Sequence, residues 1–401
     1  MEAAALIVET MFWTSLFLLL YVYVIYPALS VLIGAGRVEE TCDELPAVSV
    51  LVAAHNEAGV IAAKIENFRS LDYPPELIEL VIADDGSTDG TADAVRPHQD
   101  AQVRLLTVRK RSGKSAAMNR LSAAAKHPLL LFTDANVMMS SAALRRLVDH
   151  LADPSVGAVT GEVRLVNSGQ EFGAGERLYY WIERRIQGAE SRLGSVMGVD
   201  GGMYLVRREL FQNLPEDTIL DDFTVSMRVM RAGRRVIYEC AAKATEGGTP
   251  SASQEFSRRV RIAAGAVQLL KRGNVPRWTQ PTLWFQFFSH KLLRWGSPLL
   301  FAVLLCSNAF LAGGGVFYQI SFAILLVAWA AILATWWSLR LRQTSMGAVF
   351  FFFGISQLAM ARGLFRGLLN RQPPQWEKAQ RTSPQLAESL ANPDSTRSSI
   401  H

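Results

Sequence analysis

Hydrophobic positions form two patterns along this chain of 401 residues. Long uncharged apolar runs lie near both ends, and between about residues 44 and 272 short apolar runs alternate with amphipathic segments. Four of the short runs have the length of buried strands, and helix-compatible sequence follows each: 48–53, 77–83, 103–108 and 129–133. This alternation predicts a doubly wound, mostly parallel α/β sheet, which binds its ligands at the carboxyl ends of the strands.

The first long run, residues 10–36, contains no charged residue and exceeds the ~20 residues that a helix needs to cross a bilayer. It predicts a transmembrane helix. The alternative is a cleaved signal peptide, which the small residues Gly34, Ala35 and Gly36 would suit. However, Glu2 and Glu9 stand where a signal peptide carries Lys or Arg.

A second uncharged run, 295–339, is long enough for two crossings, and Gly313–Gly315 lie where a hairpin would turn. Just before it, residues 278–295 mix large apolar side chains with His290, Lys291 and Arg294. That mixture predicts an amphipathic helix in the lipid headgroup layer, with an ordinary surface helix as the alternative.

The last apolar run, 343–361, is barely long enough to cross, and Arg362, Arg366 and Arg371 follow it. Because arginines favour the cytoplasmic side, we expect this segment to be re-entrant or tilted. The patterns divide the chain into an N-terminal transmembrane helix (1–43), a cytosolic α/β domain (44–272), an interfacial helix (273–295), C-terminal membrane helices (296–370) and a polar flexible tail (371–401).

The net charge of +5 and the cysteines narrow the classes of partner. Lys and Arg residues are concentrated near the apolar runs, so anionic lipids and substrate phosphates explain them better than nucleic acid, which is not expected as a partner. Cys42, Cys240 and Cys306 are far apart and lack the spacing of a disulfide framework or a zinc site. A reducing cytosolic setting fits this pattern.

Polar side chains follow three of the predicted strands, and Asn56 and Glu57 follow the first. Asp84 and Asp85 precede a Gly-Ser-Thr-Asp turn, which would let carboxylates and backbone approach a nucleoside closely. Asp134 and Asn136 follow the fourth strand and could supply oxygen ligands to a hard divalent ion. Helix or turn capping is the alternative for both sets.

The segment 111–115, Arg-Ser-Gly-Lys-Ser, ends like a phosphate-binding loop, but Val108 stands where that motif requires glycine. An NTPase is therefore not expected, although Lys114 could contact a donor phosphate. Of the adjacent acids Asp221 and Asp222, one can have a raised pKa and accept a proton, and Asp222 is the candidate base. A capping pair that opens a helix over 223–230 is the alternative.

Three arginines lie close together at 258, 259 and 261, and Arg258 and Arg261 share one helical face. Arginine suits bidentate contacts with phosphate, so Arg258, Arg259 and Arg261 are candidate phosphate ligands. A solvated basic face near the membrane is the alternative.

Together, in this order and spacing, the segments resemble the family 2 inverting glycosyltransferases of GT-A fold, which include cellulose, chitin and hyaluronan synthases. The resemblance covers about residues 48–270 and the flanking membrane runs. It rests on Ala-His-Asn-Glu at 54–57, Asp-Asp-Gly-Ser-Thr-Asp at 84–89, Gly113-Lys114 with Ala117 and Asn119, Thr-Asp-Ala-Asn at 133–136, 198–202, 220–222 and 258–262.

The resemblance implies a role for each group of residues. Glu57 and the Asp84/Asp85 pair would hold the uridine of a UDP-sugar, and Asp134 would hold a Mg²⁺ or Mn²⁺ that bridges the diphosphate. Asp200, Gly201 and Gly202 would shape the acceptor site beside Asp221. Asp222 would deprotonate the acceptor hydroxyl, while the three arginines would stabilise the departing nucleoside diphosphate.

Two positions depart from the family pattern. Asn136 stands where many members have a second metal-binding Asp. Arg258 and Ile262 replace the Gln and Trp of the Gln-x-x-Arg-Trp motif that processive members carry. Without that Trp beneath the acceptor sugar, we expect one sugar to be added to a lipid-linked or glycan acceptor.

The sequence thus predicts a multi-pass enzyme of the plasma (inner) membrane that makes cell-surface polysaccharide or glycolipid. The alternatives are a processive synthase that translocates its polymer, a non-catalytic binding subunit, and association with subunits of a polysaccharide export system.

Overall fold

The computed structural model describes residues 2–33, 44–166, 173–247 and 252–374. Eight strands form one sheet in the order β3-β2-β1-β4-β7-β6-β8-β5. Their bounds are β1 Val48–Ala54, β2 Ile78–Asp85, β3 Val103–Val108, β4 Leu129–Thr133, β5 Val137–Met139, β6 Val156–Val166, β7 Met203–Arg207 and β8 Arg235–Gly247. The four strands predicted from the apolar runs are confirmed as β1–β4.

Strand direction decides which ends meet at the site. Strands β3, β2, β1 and β4 are parallel, and β7 runs antiparallel between β4 and β6, with Thr133 opposite Met203. Strands β6 and β8 are parallel, and β5 pairs antiparallel with β8, with Val137 opposite Glu246. The ends of β1–β4, the start of β7 and the end of β8 therefore share one edge of a mixed, mostly parallel sheet.

Helices cover both faces of the sheet, as the doubly wound pattern predicts. Their bounds are α1 Glu2–Leu20, α2 Tyr26–Ile33, α3 Ile61–Arg69, α4 Thr91–Val95, α5 Lys114–Ala124, α6 Ala143–Asp149, α7 Gly173–Leu193, α8 Asp221–Arg231 and α9 Ala252–Lys271. Helices α3 and α6 pack in the core on one face, through residues such as Ile65 and Leu147. Helices α5, α8 and α9 pack on the other, through residues such as Leu121, Met227 and Ala266.

The remaining helices are α10 Pro281–Gln286, α11 Leu293–Leu311, α12 Val316–Trp337, α13 Leu339–Arg342 and α14 Ser345–Leu368. Within the described ranges four helical stretches are long and apolar enough to cross a membrane: Glu2–Leu32, Pro281–Gly314, Val316–Trp337 and Ser345–Leu368. The chain leaves helical geometry at Gly315, where φ is +154°, which confirms the turn expected near the three glycines.

Two membrane predictions need correction in detail. Helix α10 continues through a π-helical stretch, Phe287–Leu292, directly into α11, so no separate interfacial helix ends at residue 295. The last apolar run forms a single unbroken helix, α14, and not a re-entrant segment, while its tilt in a membrane stays a prediction. Within α14, Arg362 lies 5.8 Å from the ring of Phe256 on α9. The predicted cleavage region 34–36, Cys42 and most of the tail fall outside the described residues.

Helix α14 packs closely against the α/β domain. A Cβ at Gly363 would lie 2.4 Å from the carbonyl oxygen of Val260, and one at Gly367 would lie 2.8 Å from the Val267 side chain. At the other end of α14, a Cβ on Gly175 of α7 would lie 2.6 Å from the carbonyl oxygen of Ala348. Glycines thus bring a candidate membrane helix into backbone contact with α7 and α9.

Candidate active site

The turn after β2 is tied to the end of β1. Asn56 has a left-handed backbone (φ +57°), which lets its N–H donate to the Ser87 hydroxyl (2.8 Å) while its side-chain oxygen accepts from the Thr88 N–H (2.8 Å). The Ser87 hydroxyl in turn donates to Asp84. The Glu57 N–H donates to the Thr91 hydroxyl at 2.8 Å. These contacts order the edge at which the sequence predicts uridine binding.

Asp85 is fully buried, and its contacts are internal. Its carboxylate accepts hydrogen bonds from the N–H groups of Ser112 (3.0 Å) and Gly113 (2.7 Å) and from the Arg120 guanidinium (2.9 Å). Burial acts to raise the pKa of Asp85, but these donors outweigh it and hold the pKa below its ordinary value. Asp85 therefore anchors the loop that leads to Lys114, and this contact set differs from the direct uridine contact implied by the resemblance.

Lys114, the first residue of α5, joins two of the predicted acidic positions. Its ammonium nitrogen lies 2.9 Å from Asp134 Oδ1 and 3.7 Å from Asp221 Oδ2. Burial acts to lower the pKa of Lys114, but Asp134 and Asp221 outweigh it and raise the pKa. The residues after β3 and β4 and at the start of α8 therefore meet in one charged cluster.

Asp222, also at the start of α8, faces the glycine loop before β7. Its Oδ2 would lie 2.9 Å from a Cβ at Gly201, so glycine at 201 leaves room beside the carboxylate. Burial raises the pKa of Asp222 to about 6, Asp221 adds to this rise, and Lys114 and Arg261 oppose it. A carboxylate with this pKa is ionised near neutral pH and basic enough to accept a proton.

Asp200 lies at the same edge. Its Oδ1 accepts the Gly202 N–H at 3.0 Å, and the Gly202 carbonyl faces the Asp134 N–H at 3.4 Å. Burial raises the pKa of Asp200 to about 7; Glu246 and Asp222 add to the rise, whereas the Gly202 N–H and Arg258 lower it. Asp200 and Asp222 thus influence each other electrostatically, and the Gly202 backbone links Asp200 to Asp134.

The three arginines of α9 have different surroundings. Arg258 donates to Glu255 (2.9 Å) and to the Tyr180 hydroxyl (3.0 Å), and Arg261 donates to the Pro374 carbonyl (3.1 Å). Both also act on the pKa values of the carboxylate group, as described above. Arg259 instead bonds to Glu255 at 2.7 Å and lies 4.5 Å from the ring of Phe352 on α14. Its contacts therefore join α9 to α14.

Lys64 was not predicted from the sequence. It is fully buried in α3, and its ammonium donates to the Thr133 hydroxyl (2.9 Å) and the Val137 carbonyl (2.5 Å), at the two ends of the loop that holds Asp134. Burial lowers the pKa of Lys64 to about 7, and Asp134 opposes this change. The sequence does place Lys64 on the apolar face of α3, three residues after Ile61 and next to Ile65, and this position could have indicated that its side chain is buried.

Glu246 was also missed. The Asn136 amide donates to Glu246 Oε1 at 2.9 Å, which leaves the Asn136 side-chain oxygen as the candidate metal ligand. Within the described part of the chain no three His, Cys, Asp or Glu side chains are arranged to hold a metal. However, Mg²⁺ and Mn²⁺ in such enzymes need only one or two protein oxygens together with substrate phosphate and water. The Asp134 carboxylate, which faces Lys114 at 2.9 Å, and the Asn136 side-chain oxygen are the groups that fit such a site.

The chain is similar to known proteins in sequence and in fold. Residues 49–214 match the family described as Glycosyl transferase family 2. The beta-monoglucosyldiacylglycerol synthase of Synechocystis sp. is 29% identical over 271 residues, which are 63% of this chain and 55% of that protein. The poly-beta-1,6-N-acetyl-D-glucosamine synthase of Staphylococcus aureus is 26% identical over 236 residues, 57% of each chain. This chain thus spans little more than half the length of these relatives.

One solved structure is similar over nearly the whole chain. The mannosyltransferase PcManGT from Pyrobaculum calidifontis, in complex with GDP-Man and Mn²⁺, has a TM-score of 0.71 and 23% identity, covering 92% of this chain and 99% of its own. At that identity the similarity shows the fold, which is GT-A. Residues 49–214 therefore match a family 2 glycosyltransferase domain, and the α/β domain that contains them has the GT-A fold.

Proposed function

We propose that this protein transfers a single sugar from a nucleoside diphosphate sugar, with inversion at the anomeric carbon, to a lipid acceptor at the inner membrane. The observation that supports the proposal most strongly is the convergence of Lys114, Asp134, Asp200 and Asp222 at one sheet edge. Helix α9, which bears Arg258 and Arg261, adjoins this edge and packs on the candidate membrane helix α14. A reaction at that position would have access to a lipid in the membrane.

In this proposal Asp134 and the Asn136 side-chain oxygen hold Mg²⁺ or Mn²⁺, which would neutralise charge on the diphosphate. Lys114, Arg258 and Arg261 contribute further positive charge to the phosphates. Asp222 accepts the proton of the acceptor hydroxyl as that oxygen attacks the anomeric carbon and the bond to the diphosphate breaks. Asp200, Gly201 and Gly202 shape the acceptor side, next to Asp221.

The donor is proposed to be a UDP-sugar, with the uridine beside Glu57, Asp84 and the turn that Asp85 anchors. Two arguments support single addition. Ile262 stands where processive relatives have Trp, and the Synechocystis relative is named for a lipid that carries one glucose. A processive synthase, to which the Staphylococcus relative corresponds by name, is the second candidate. With either acceptor, the α/β domain is proposed to face the cytosol.

The test uses the full chain in membranes with a panel of radiolabelled UDP- and GDP-sugars and a diacylglycerol acceptor. We expect one UDP-sugar to give release of nucleoside diphosphate, dependent on Mg²⁺ or Mn²⁺, and a lipid-extractable product bearing one sugar. NMR of that product should show the inverted anomer. A high-molecular-mass product would favour the processive synthase. No release with any donor would contradict the enzymatic proposal and favour a binding subunit.

A further inference from the structure

A buried acidic side chain lies where the α/β domain meets the candidate membrane helices. Glu190, near the end of α7, is fully buried, and so is His290 in the π-helical stretch before α11. The His290 ring lies 2.8 Å from Glu190 Oε1 through Nδ1 and 2.9 Å from Glu183 Oε1 through Nε2. The His290 ring therefore lies between two acidic side chains of α7.

The same Glu190 oxygen is also bound from the N-terminal helices. The Tyr26 hydroxyl, on α2, donates to Glu190 Oε1 at 2.9 Å. The Gln286 side chain, on α10, donates to the Glu190 carbonyl at 3.1 Å. Two stretches capable of crossing a membrane, Glu2–Leu32 and Pro281–Gly314, therefore contact one residue of the domain.

The second Glu190 oxygen points to the loop before β7. Oε2 accepts the Met197 backbone N–H at 3.0 Å. Asp200 lies three residues later in that loop. The domain core binds two further N–H groups of the loop: Val199 donates to the Ser226 hydroxyl at 3.0 Å and Asp200 to the Thr160 hydroxyl at 2.9 Å. Glu190 thus fixes the start of the loop 197–202 from the membrane side, and the domain core fixes its middle.

We propose that Glu190 is a positioning residue that makes the geometry of the acceptor loop 197–202 depend on the packing of the membrane helices. One carboxylate oxygen is bound by Tyr26 and His290, and the other by the loop, so both sides are joined through a single rigid group. The inference rests on the proposed function in so far as this loop shapes the acceptor site. Its consequence is that the membrane helices contribute to the acceptor step beyond anchoring the domain.

Glu190→Gln tests the proposal with little change in shape. A Gln side chain has one carbonyl oxygen, so it can accept from the loop or from Tyr26 and His290, but not from both sides. Glu239 provides a matched control, because it is also buried, accepts from a backbone N–H (Ala241, 2.6 Å), and lies 2.6 Å from the ring of His150. Glu239 lies on β8, and none of the contacts of the loop 197–202 described above involves it.

The measurements are hydrogen–deuterium exchange of peptides covering residues 197–202, and kcat, both on the full chain in lipid nanodiscs. We expect Glu190→Gln to increase deuterium uptake in this loop and to lower kcat about tenfold, the factor that matches one charge-assisted hydrogen bond. Binding of UDP with Mn²⁺ should stay unchanged. Glu239→Gln should change neither loop uptake nor kcat, even if it lowers the melting temperature.

Tyr26→Phe, a change in α2 alone, should raise uptake in the same loop to a smaller extent. The proposal is overturned if the Glu190→Gln variant has the same deuterium uptake in residues 197–202 and the same kcat as the wild type. It is also overturned if Glu239→Gln changes the uptake of this loop as Glu190→Gln does. If the wild type transfers no sugar, the proposed function fails, but the exchange comparison still decides whether Glu190 joins the membrane helices to the loop.

Discussion

The carboxylates on the two flanks of the site differ in the number of hydrogen-bond donors that surround them. The first flank comprises Asp84 and Asp85 at the end of β2. Asp85 accepts hydrogen bonds from three residues, and these donors hold its pKa below the ordinary value. On the second flank, which comprises Asp134, Asp200, Asp221 and Asp222, burial and neighbouring acids raise the pKa values of Asp200 and Asp222 to about 7 and about 6. We propose that the carboxylates with many donors hold the fold, whereas the crowded and poorly solvated ones bind a cation or a proton. We call the first flank the anchored flank and the second the cation flank.

The largest effect is expected on the cation flank. Asp222→Asn removes the proposed base and should lower kcat about 10³-fold, the usual contribution of general base catalysis. Donor binding should remain, because Asp222 is not proposed to contact the nucleotide. The check is single-turnover transfer together with equilibrium binding of UDP. Wild-type turnover in this variant would show that the base has been misassigned.

The same change on the anchored flank should act on stability. Asp85→Asn replaces an acceptor of hydrogen bonds from three residues and removes the charge opposite Arg120, so we expect a loss of about 3 kcal/mol in the free energy of unfolding. Thermal and chemical denaturation of a detergent-solubilised preparation would measure it. Stability equal to that of the wild type would remove the distinction between the two flanks.

Lys64 sharpens the comparison, because it lies beneath the cation flank and joins the ends of the Asp134 loop. Its pKa of about 7 leaves it partly neutral, so we expect its two hydrogen bonds to matter more than its charge. Lys64→Met should raise the Mn²⁺ concentration for half-maximal binding about tenfold, as measured by electron paramagnetic resonance.

A control for Lys64 is Ile65→Ala on the same helix, which should lower stability by about 3 kcal/mol without changing Mn²⁺ binding. Tighter Mn²⁺ binding in Lys64→Met would mean that repulsion by the buried ammonium outweighs the support it gives to the loop.

The smallest effect concerns pH. The pKa of Asp222 is raised from 3.8 to about 6 by burial and by Asp221, so the folded protein binds that proton more tightly than the unfolded chain does. Ionised Asp222 therefore destabilises the fold above about pH 6, and this cost disappears as the pH falls towards 4. Without metal, Asp222→Asn should therefore stabilise the protein relative to the wild type at pH 8 and not at pH 4, as measured by thermal denaturation. Asp85 has the opposite sign, since its lowered pKa adds stability that is lost in acid.

Much of the fold could be predicted because it depends on local pattern. Four continuous apolar runs gave β1–β4, and the polar residues after β2 and β4 indicated the edge where ligands bind. Strands β6 and β8 were not predicted individually, because β8 alternates between buried and partly buried residues and its partner in the sheet is far away in sequence.

The contacts of individual side chains could not be predicted in the same way. Asp84 and Asp85 look equivalent in the sequence, yet the loop at Ser112 and Gly113 closes on Asp85. Lys64 is of a residue type usually found at the surface, and it is buried here because its ammonium binds the end of β4 and the start of β5. Similarly, Arg362 ends an apolar run, yet α14 continues past it and places its guanidinium beside the Phe256 ring of α9.

The central claim is that the cation flank binds a diphosphate through a divalent ion, and its most direct test is calorimetry of UDP binding with and without Mn²⁺. The wild type and Asp222→Asn should bind UDP only with Mn²⁺, and Asp134→Asn should lose most of that binding. Binding of UDP that is independent of Mn²⁺, or unaffected by Asp134→Asn, would contradict the account.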